Sequence, residues 1–117
     1  MAVYSTLPLS GSTNGRPIGI DSTAAPGTTI HTVSTATAVR DHPYVWVYNL
    51  ATTVRELRTL WGTTATGAEI VQSIPAQDGL YAVSPGPALQ GATGIIVGMF
   101  ATATGALFAI GHADRAT

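Results

Sequence analysis

The amino-acid sequence predicts an all-β chain, an antiparallel β-sandwich or jelly-roll-like domain preceded by an extended N-terminal arm. Short runs of β-branched and aromatic residues recur along the chain, and turns that contain Pro or Gly separate them. Seven or so such runs at regular spacing are typical of sandwiches and jelly rolls. The 117 residues are enough for one hydrophobic core. We therefore assign residues 28–117 to a single β-sandwich domain.

Residues 1–27 have the composition of a flexible or extended arm. Turn and linker residues fill 10–15 and 24–27, and Pro8 and Pro17 disfavour a helix. A pure linker would not need the apolar residues that lie between these turns. We therefore expect the arm to make few contacts with its own domain and to dock on a neighbouring chain through Leu7, Leu9, Ile18 and Ile20.

The first half of the domain contains two clear strands and one ambiguous segment. Residues 28–33 are β-branched, 41–43 have turn composition, and 44–48 are apolar on both faces, as in a strand at the centre of a sandwich. Residues 54–61 fit either a helical face or one face of a strand. We choose the strand, because a helix here would be short and uncapped.

The second half predicts four further strands, at 69–74, 80–83, 95–100 and 107–110. Residues 88–111 carry no charge and contain a Gly-x-x-x-Gly pattern, which also occurs in dimerising membrane helices. Five glycines lower the helix propensity of this stretch, and no Lys, Arg or Trp lies at its entry side. We therefore expect 95–100 and 107–110 to form a hairpin rather than a membrane helix.

Charge is scarce, and this restricts the classes of partner. Charged residues make up 9% of the chain, against about 25% in typical domains, and the net charge is −1. The chain lacks the basic surface that binds nucleic acid and the charged run that binds a membrane surface. All five basic residues are Arg, which indicates either interface pairing or the codon bias of a GC-rich genome. A surface with so few charges favours association with other proteins.

The sequence offers no residues arranged for catalysis, a cofactor or a metal ion. It contains no Cys, and its histidines, at 31, 42 and 112, are isolated, so we expect them on the surface or in turns. No two carboxylates have the spacing of a general acid and base, and Asp41 and Asp78 have turn neighbours. His112 and Asp114 would share a strand face as a polar strand end. We therefore expect a protein that is not an enzyme.

Two sets of side chains could form a binding surface. Arg55 and Arg58 flank Glu56 on one predicted strand, which suits a solvated face or a pair between subunits. The aromatic residues could instead form a sugar-stacking platform, although aromatics on central strands usually bury their area in a core or an interface. This platform would consist of Tyr44, Trp46, Tyr48, Trp61 and Tyr81.

Four segments in the same order carry a resemblance to a known group of proteins. They are Val45–Leu50, Leu57–Thr64, Ile74–Leu80 and Ser84–Gly86. This series resembles small β-sandwich virion proteins of tailed bacteriophages, in which a VWLY strand, a WGGTT-like strand end, an IPAxxGL turn and a PG turn recur. The match covers about residues 44–112, and one glycine of the second motif is missing here.

The resemblance implies a decoration, or cement, protein that binds the outer surface of a bacteriophage capsid and stabilises it. The expected partners are the major capsid protein and further copies of the chain, in a homo-oligomer expected to be a trimer, with no cofactor, nucleic acid or membrane. The expected location is the virion exterior, after synthesis in the bacterial host cytoplasm. The alternative is a glycan- or receptor-binding module of a tail or head fibre. Candidate contact residues are Leu7, Leu9, Ile18, Ile20, Arg55 and Arg58.

Overall fold

The structure is a computed structural model that describes residues 3–64 and 67–117. The described residues form strands and connecting loops, with no helix among them. The ten strands are β1 (Tyr4–Pro8), β2 (Ile18–Gly19), β3 (Thr28–Thr32), β4 (Arg40–Asn49), β5 (Arg55–Trp61), β6 (Ile70–Ile74), β7 (Tyr81–Pro85), β8 (Leu89–Gln90), β9 (Ile96–Ala101) and β10 (Leu107–Ala116).

The strands form two antiparallel sheets that pack together as a β-sandwich, which confirms the predicted fold class. The six-stranded sheet has the order β1-β10-β4-β7, with β2 added to β10 and β8 added to β4. The four-stranded sheet has the order β3-β9-β5-β6. The predicted strands at 28–33 and 54–61 correspond to β3 and β5, so the choice of strand over helix at 54–61 is confirmed.

Strands β4 and β10 form the centre of the six-stranded sheet. They pair over ten residues, from Asn49 opposite Leu107 to Arg40 opposite Ala116. Alternate residues of β4 enter the core because successive side chains of a strand point to opposite faces. The core between the sheets is aliphatic and consists of Leu9, Ile18, Ile20, Ile30, Val45, Val47, Leu57, Ile74, Val97, Met99, Ala101, Leu107 and Ala109.

The structure corrects the prediction of an N-terminal arm that makes few contacts with its own domain. Within the described residues, β1 and β2 pair with β10. Leu9, Ile18 and Ile20 are 1%, 7% and 0% exposed and belong to the core of their own chain. These three residues therefore do not dock on a neighbour. The turn residues between the apolar ones allow the segment to fold back, and burial in its own core removes the apolar side chains from water.

The segment 41–43, predicted as a turn, lies inside β4. Pro43 lacks a backbone N–H, so it leaves a gap in one ladder. The missing hydrogen bond falls between two short strands that pair with the same side of β4. Strand β8 pairs with β4 at Arg40 and Asp41, and β7 pairs with it from Tyr44 onward. The Pro43 carbonyl accepts a 2.7 Å hydrogen bond from the Ser84 hydroxyl. The proline is therefore accommodated within a central strand.

The predicted hairpin of 95–100 and 107–110 is also wrong. Both segments are strands, but β9 lies in the four-stranded sheet and β10 lies in the six-stranded sheet. The connection between them therefore crosses from one sheet to the other instead of closing a hairpin. Period-two patterns identify strands but do not specify their partners, and both strands bury one face in the same core.

Candidate functional site

An aromatic stripe covers the outer face of the six-stranded sheet. On β4, Val45 and Val47 point into the core, so Tyr44, Trp46 and Tyr48 lie on the opposite face and are half-buried. The prediction that both faces of this strand are buried is therefore wrong. The register of β10 adds three more residues. We call the set the aromatic face; it consists of Tyr44, Trp46, Tyr48, Phe108, Ile110 and His112.

The cross-strand register stacks the rings of the aromatic face in pairs. The ring centroids of Tyr44 and His112 are 5.0 Å apart with planes 20° apart, and those of Tyr48 and Phe108 are 5.4 Å apart with planes 15° apart. Trp46 lies opposite Ile110, between these pairs, and its ring is 6.2 Å from that of His112. Directly opposed side chains in antiparallel strands interact in this way and fix one another's rotamers. The result is an ordered apolar surface.

At the Tyr44 end of the aromatic face, two glycines allow the neighbouring chain segments to lie close to Tyr44. A Cβ atom at Gly111 would overlap the carbonyl oxygen of Tyr44, so only glycine fits between the two strands at this point. Gly86, with φ of +94°, lies against the Tyr44 ring in the same way. This glycine belongs to the Ser84–Gly86 turn. The turn therefore shapes one end of the aromatic face.

A polar group borders the aromatic face at its β1 side. Asp114 accepts a 2.9 Å hydrogen bond from the Thr6 hydroxyl, and its carboxylate is 3.8 Å from Nε2 of His112. His112 and Asp114 therefore share one face of β10, as predicted, although the strand continues beyond them to Ala116. His42, which lies opposite Asp114 on β4, has its Nδ1 3.1 Å from the carbonyl oxygen of Gly86. The apolar surface thus has a hydrogen-bonding rim on one side.

The composition of the aromatic face suits protein docking. Interfaces concentrate aromatic residues at their centre and polar groups at their rim, and they exclude most charged side chains. The aromatic face has aromatic residues at its centre and polar groups at its border. It contains no Asp, Glu, Lys or Arg, and His112 is its single histidine. Each half-buried aromatic that a partner covers completely would contribute about 1 kcal/mol, since full burial of a large apolar side chain contributes roughly twice that.

Not all the predicted platform residues lie on this surface. Trp61 and Tyr81 are partly buried and pack against the core instead. The hydroxyl of Tyr81 also donates a hydrogen bond to Asp78, which raises the pKa of the tyrosine. The five-residue platform considered from the sequence is therefore reduced to its three members on β4.

The predicted contact residues lie apart from the aromatic face. Leu7 is half-buried on β1, opposite Ala113. Arg58 forms a 2.7 Å ion pair with Glu56 in the four-stranded sheet, and both side chains are more than a third exposed. Arg55 precedes them on β5, and its Nε atom is buried without a hydrogen-bond partner in the described structure. The use of Leu7, Arg55 and Arg58 as contacts stays a prediction.

A buried ionic cluster holds the two sheets and the N-terminal segment together. Asp41, fully buried, accepts hydrogen bonds of 2.7 and 2.8 Å from Arg115 and lies 2.8 Å from Nε2 of His31. The other ring nitrogen of His31 accepts a 3.2 Å bond from the backbone N–H of Ser10. The expectation that His31 is a surface or turn residue is wrong, because it is 1% exposed.

The electrostatics of the cluster follow from this geometry. Burial raises the pKa of Asp41, but the hydrogen bonds from Arg115 and His31 and the charge of Arg115 more than offset it, so the pKa lies below its ordinary value. Asp41 conversely raises the pKa of Arg115. Sequence reasoning missed the cluster because its members are far apart in the chain. The alternation of β4 could have indicated the cluster. Asp41 is an even number of residues from Val45 and Val47, so its side chain points to the same face of the strand as these core residues.

A cavity of about 390 Å³ lies at the opposite end of the aromatic face from Asp114. Tyr48 belongs to both features, and the exposed side chains of Leu50 and Leu80 extend the apolar surface. Asn49 supports the cavity, because its side-chain amide donates 3.0 Å hydrogen bonds to the carbonyls of Thr53 and Ile74. The apolar surface therefore continues past the end of β4.

Comparisons with known proteins identify no relative of this chain. No protein-family model, no curated protein and no solved structure matches it. Within residues 3–64 and 67–117, no three His, Cys, Asp or Glu side chains are grouped so that they could hold a metal ion. In the same part of the chain, no helix has the length and hydropathy needed to cross a membrane.

Proposed function

We propose that this chain is a structural virion protein, a decoration or cement protein, that binds the outer surface of a bacteriophage capsid and stabilises it. The observation that carries the proposal is the aromatic face, an ordered apolar surface that the chain's own residues leave half-exposed. The partner is the major capsid protein. The proposal assigns the chain no reaction and no cofactor.

Two further observations support this function. The four sequence segments that resemble phage virion proteins include Val45–Leu50, which carries Trp46 and Tyr48 of the aromatic face, and the Ser84–Gly86 turn, which shapes one end of that face. The low charge also fits a surface that is covered in an assembly, since few charged groups would lose water on docking. Many copies on a repeating shell would bind together even if each copy binds weakly.

A homo-oligomer belongs to this proposal, and a trimer is the form expected at the three-fold and quasi-three-fold positions of an icosahedral shell. Oligomers of this kind bring several aromatic faces to one site at the same time. The effective concentration of the second and third faces then exceeds their concentration in solution, which slows dissociation from the shell.

The test compares particles with and without the protein. Particles that lack it, through gene deletion or stripping, are challenged with heat and chelator beside complete particles. The proposal expects the incomplete particles to release their DNA at a lower temperature, and it expects added protein to restore the loss. Equal survival of the two particle types, or absence of the protein from purified heads, would contradict the proposal.

A glycan-binding module of a tail or head fibre is the second candidate, and the polar rim favours it. Sugar sites combine an aromatic ring with nearby hydrogen-bonding groups. The Trp46 ring lies beside His112, and His112 lies beside Asp114, which Thr6 contacts. The stacking geometry favours docking instead, because each ring of the two stacked pairs already presents one face to the other ring. Titration of tryptophan fluorescence with host surface polysaccharide separates the candidates, since a saturable change is expected for the glycan module alone.

A further inference from the structure

Strand β6 is the free edge of the four-stranded sheet. It pairs with β5 on one side, and no strand among residues 3–64 and 67–117 pairs with its other side. Ile70 and Val71 are 49% and 52% exposed. An edge strand presents backbone N–H and C=O groups that can pair with another chain, and exposed aliphatic side chains add apolar burial to that pairing.

The opposite edge of the same sheet is protected by the chain itself. The backbone N–H of Gly11 donates to the carbonyl of Ile30 on β3, and the backbone N–H of Thr32 donates to the Ser10 hydroxyl. No proline and no charged residue interrupts Ile70–Ile74, and both are devices that block edge pairing in other proteins. In the part of the chain that the structure describes, the β6 edge therefore has no backbone partner on its outer side, whereas the β3 edge is covered.

The residues of β6 are suited to pairing with themselves. An antiparallel pair of β6 strands centred on Gln72 places Ile70 opposite Ile74 and Val71 opposite Ser73. No like charges meet in this register, which would otherwise destabilise the pair. Val71 and Ile70 point to opposite faces of the sheet, so both faces of the edge lose exposed apolar surface.

We propose that a second copy of this chain adds its β6 antiparallel to the first, so that two four-stranded sheets join into one continuous sheet across a two-fold axis. Such isologous contacts are the commonest form of protein self-association. A five-residue strand is a small interface, so the association is weak and depends on concentration. The contact is independent of the proposed function, because the free protein forms it without any shell.

The first experiment is sedimentation velocity of the full chain over a wide range of concentrations. Wild type is expected to shift from monomer toward larger species as the concentration rises. The Val71→Lys variant places a charge next to the centre of the contact and is expected to weaken the association roughly tenfold or more. Val54→Lys is the matched control, because Val54 is 60% exposed, precedes β5 and lies off the edge, so it should associate as wild type does.

The second experiment uses the absence of Cys from the chain. A Gln72→Cys variant places one thiol at the proposed two-fold axis, and a short bismaleimide should join two copies through it. A Val54→Cys variant should remain uncrosslinked under the same conditions. This measurement decides the question even if the lysine variant fails to fold.

Three results would overturn the proposal. They are a wild-type chain that stays monomeric at every concentration, a Val71→Lys variant that associates as tightly as wild type, and equal crosslinking at positions 72 and 54. The second of these results can be combined with a failure of the Val71→Lys variant to bind particles. That outcome would assign the β6 edge to a strand of the partner protein instead of a second copy.

Discussion

Asp41, His31 and Arg115 show how single residues determine the stability of this fold. They come from β4, β3 and β10, so the cluster ties together both sheets, and the bond from Ser10 to His31 attaches the N-terminal segment to it. A buried carboxylate with two such partners tolerates the loss of its charge poorly, because the buried His31 loses a charged acceptor and Arg115, whose side chain is 28% exposed, loses its counter-charge.

We predict that Asp41→Asn lowers the free energy of unfolding by about 3 kcal/mol or more, because it leaves Arg115 without its bidentate partner. Asp114→Asn is the matched control. The carboxylate of Asp114 is 37% exposed, so its loss should cost less than about 1 kcal/mol. Urea denaturation of the two variants measures both values, and equal losses would mean that the cluster does not stabilise the fold.

The same carboxylate predicts the pH dependence of stability. The folded-state pKa of Asp41 lies below its ordinary value, so the unfolded chain takes up this proton at a higher pH than the folded chain. The stabilisation is therefore complete above about pH 5 and is lost as the pH falls below about 4 and through the folded-state pKa. Urea midpoints between pH 2.5 and 7 should fall less steeply for Asp41→Asn than for wild type. Identical slopes would contradict this assignment.

At the scale of elements, runs of β-branched and aromatic residues between turn residues identified most of the long strands, and these runs could not identify the strands' partners. The strand patterns at 28–33, 54–61 and 107–110 correspond to β3, β5 and part of β10. The pairing of β9 and β10 was wrong because hairpin prediction assumes that consecutive strands share a sheet. The two strands meet in one core but belong to different sheets.

The N-terminal segment shows a second limit of sequence reasoning. Apolar residues among Gly, Ser and Pro have the same pattern whether they dock on another chain or on their own core. The deciding fact is tertiary, because β10 runs for ten residues and offers its free side to β1 and β2 in turn. The aromatic face could likewise be predicted only in part from the sequence. Residues 44–48 suggested a strand that is buried on both faces, and the register with β10 was needed to show that one face lies on the outside of the sheet.

We predict that deletion of residues 2–20 abolishes cooperative unfolding. The deletion removes β1, β2 and the core side chains Leu9, Ile18 and Ile20, and each large aliphatic residue lost from a core costs about 2–5 kcal/mol. The sum, about 6–15 kcal/mol, is as large as the whole stability of a typical domain. Circular dichroism during heating measures the effect, with deletion of residues 2 and 3 alone as the control. A truncated chain that melts as sharply as wild type would contradict this prediction and would support an arm that lies outside the core.

At the scale of the whole molecule, two surfaces are available for assembly, and they lie on different sheets. The aromatic face covers the outside of the six-stranded sheet, and β6 is an edge of the four-stranded sheet. A protein on a shell can use both at once, with the face on the capsid and the edge on a neighbouring copy. A two-fold edge contact of this kind would link adjacent oligomers.

The most direct test of the central claim is co-sedimentation of purified variants with heads that have been stripped of the protein. Ile110→Glu places a charge in the middle of the aromatic face, opposite Trp46, without changing a core residue. We expect it to lose at least about tenfold in affinity for the heads, because the charge must be desolvated on docking. Val54→Glu, which puts the same charge on an exposed position off the face, is expected to bind as wild type does. If Ile110→Glu binds the heads as tightly as wild type and Val54→Glu do, the aromatic face is not the docking surface.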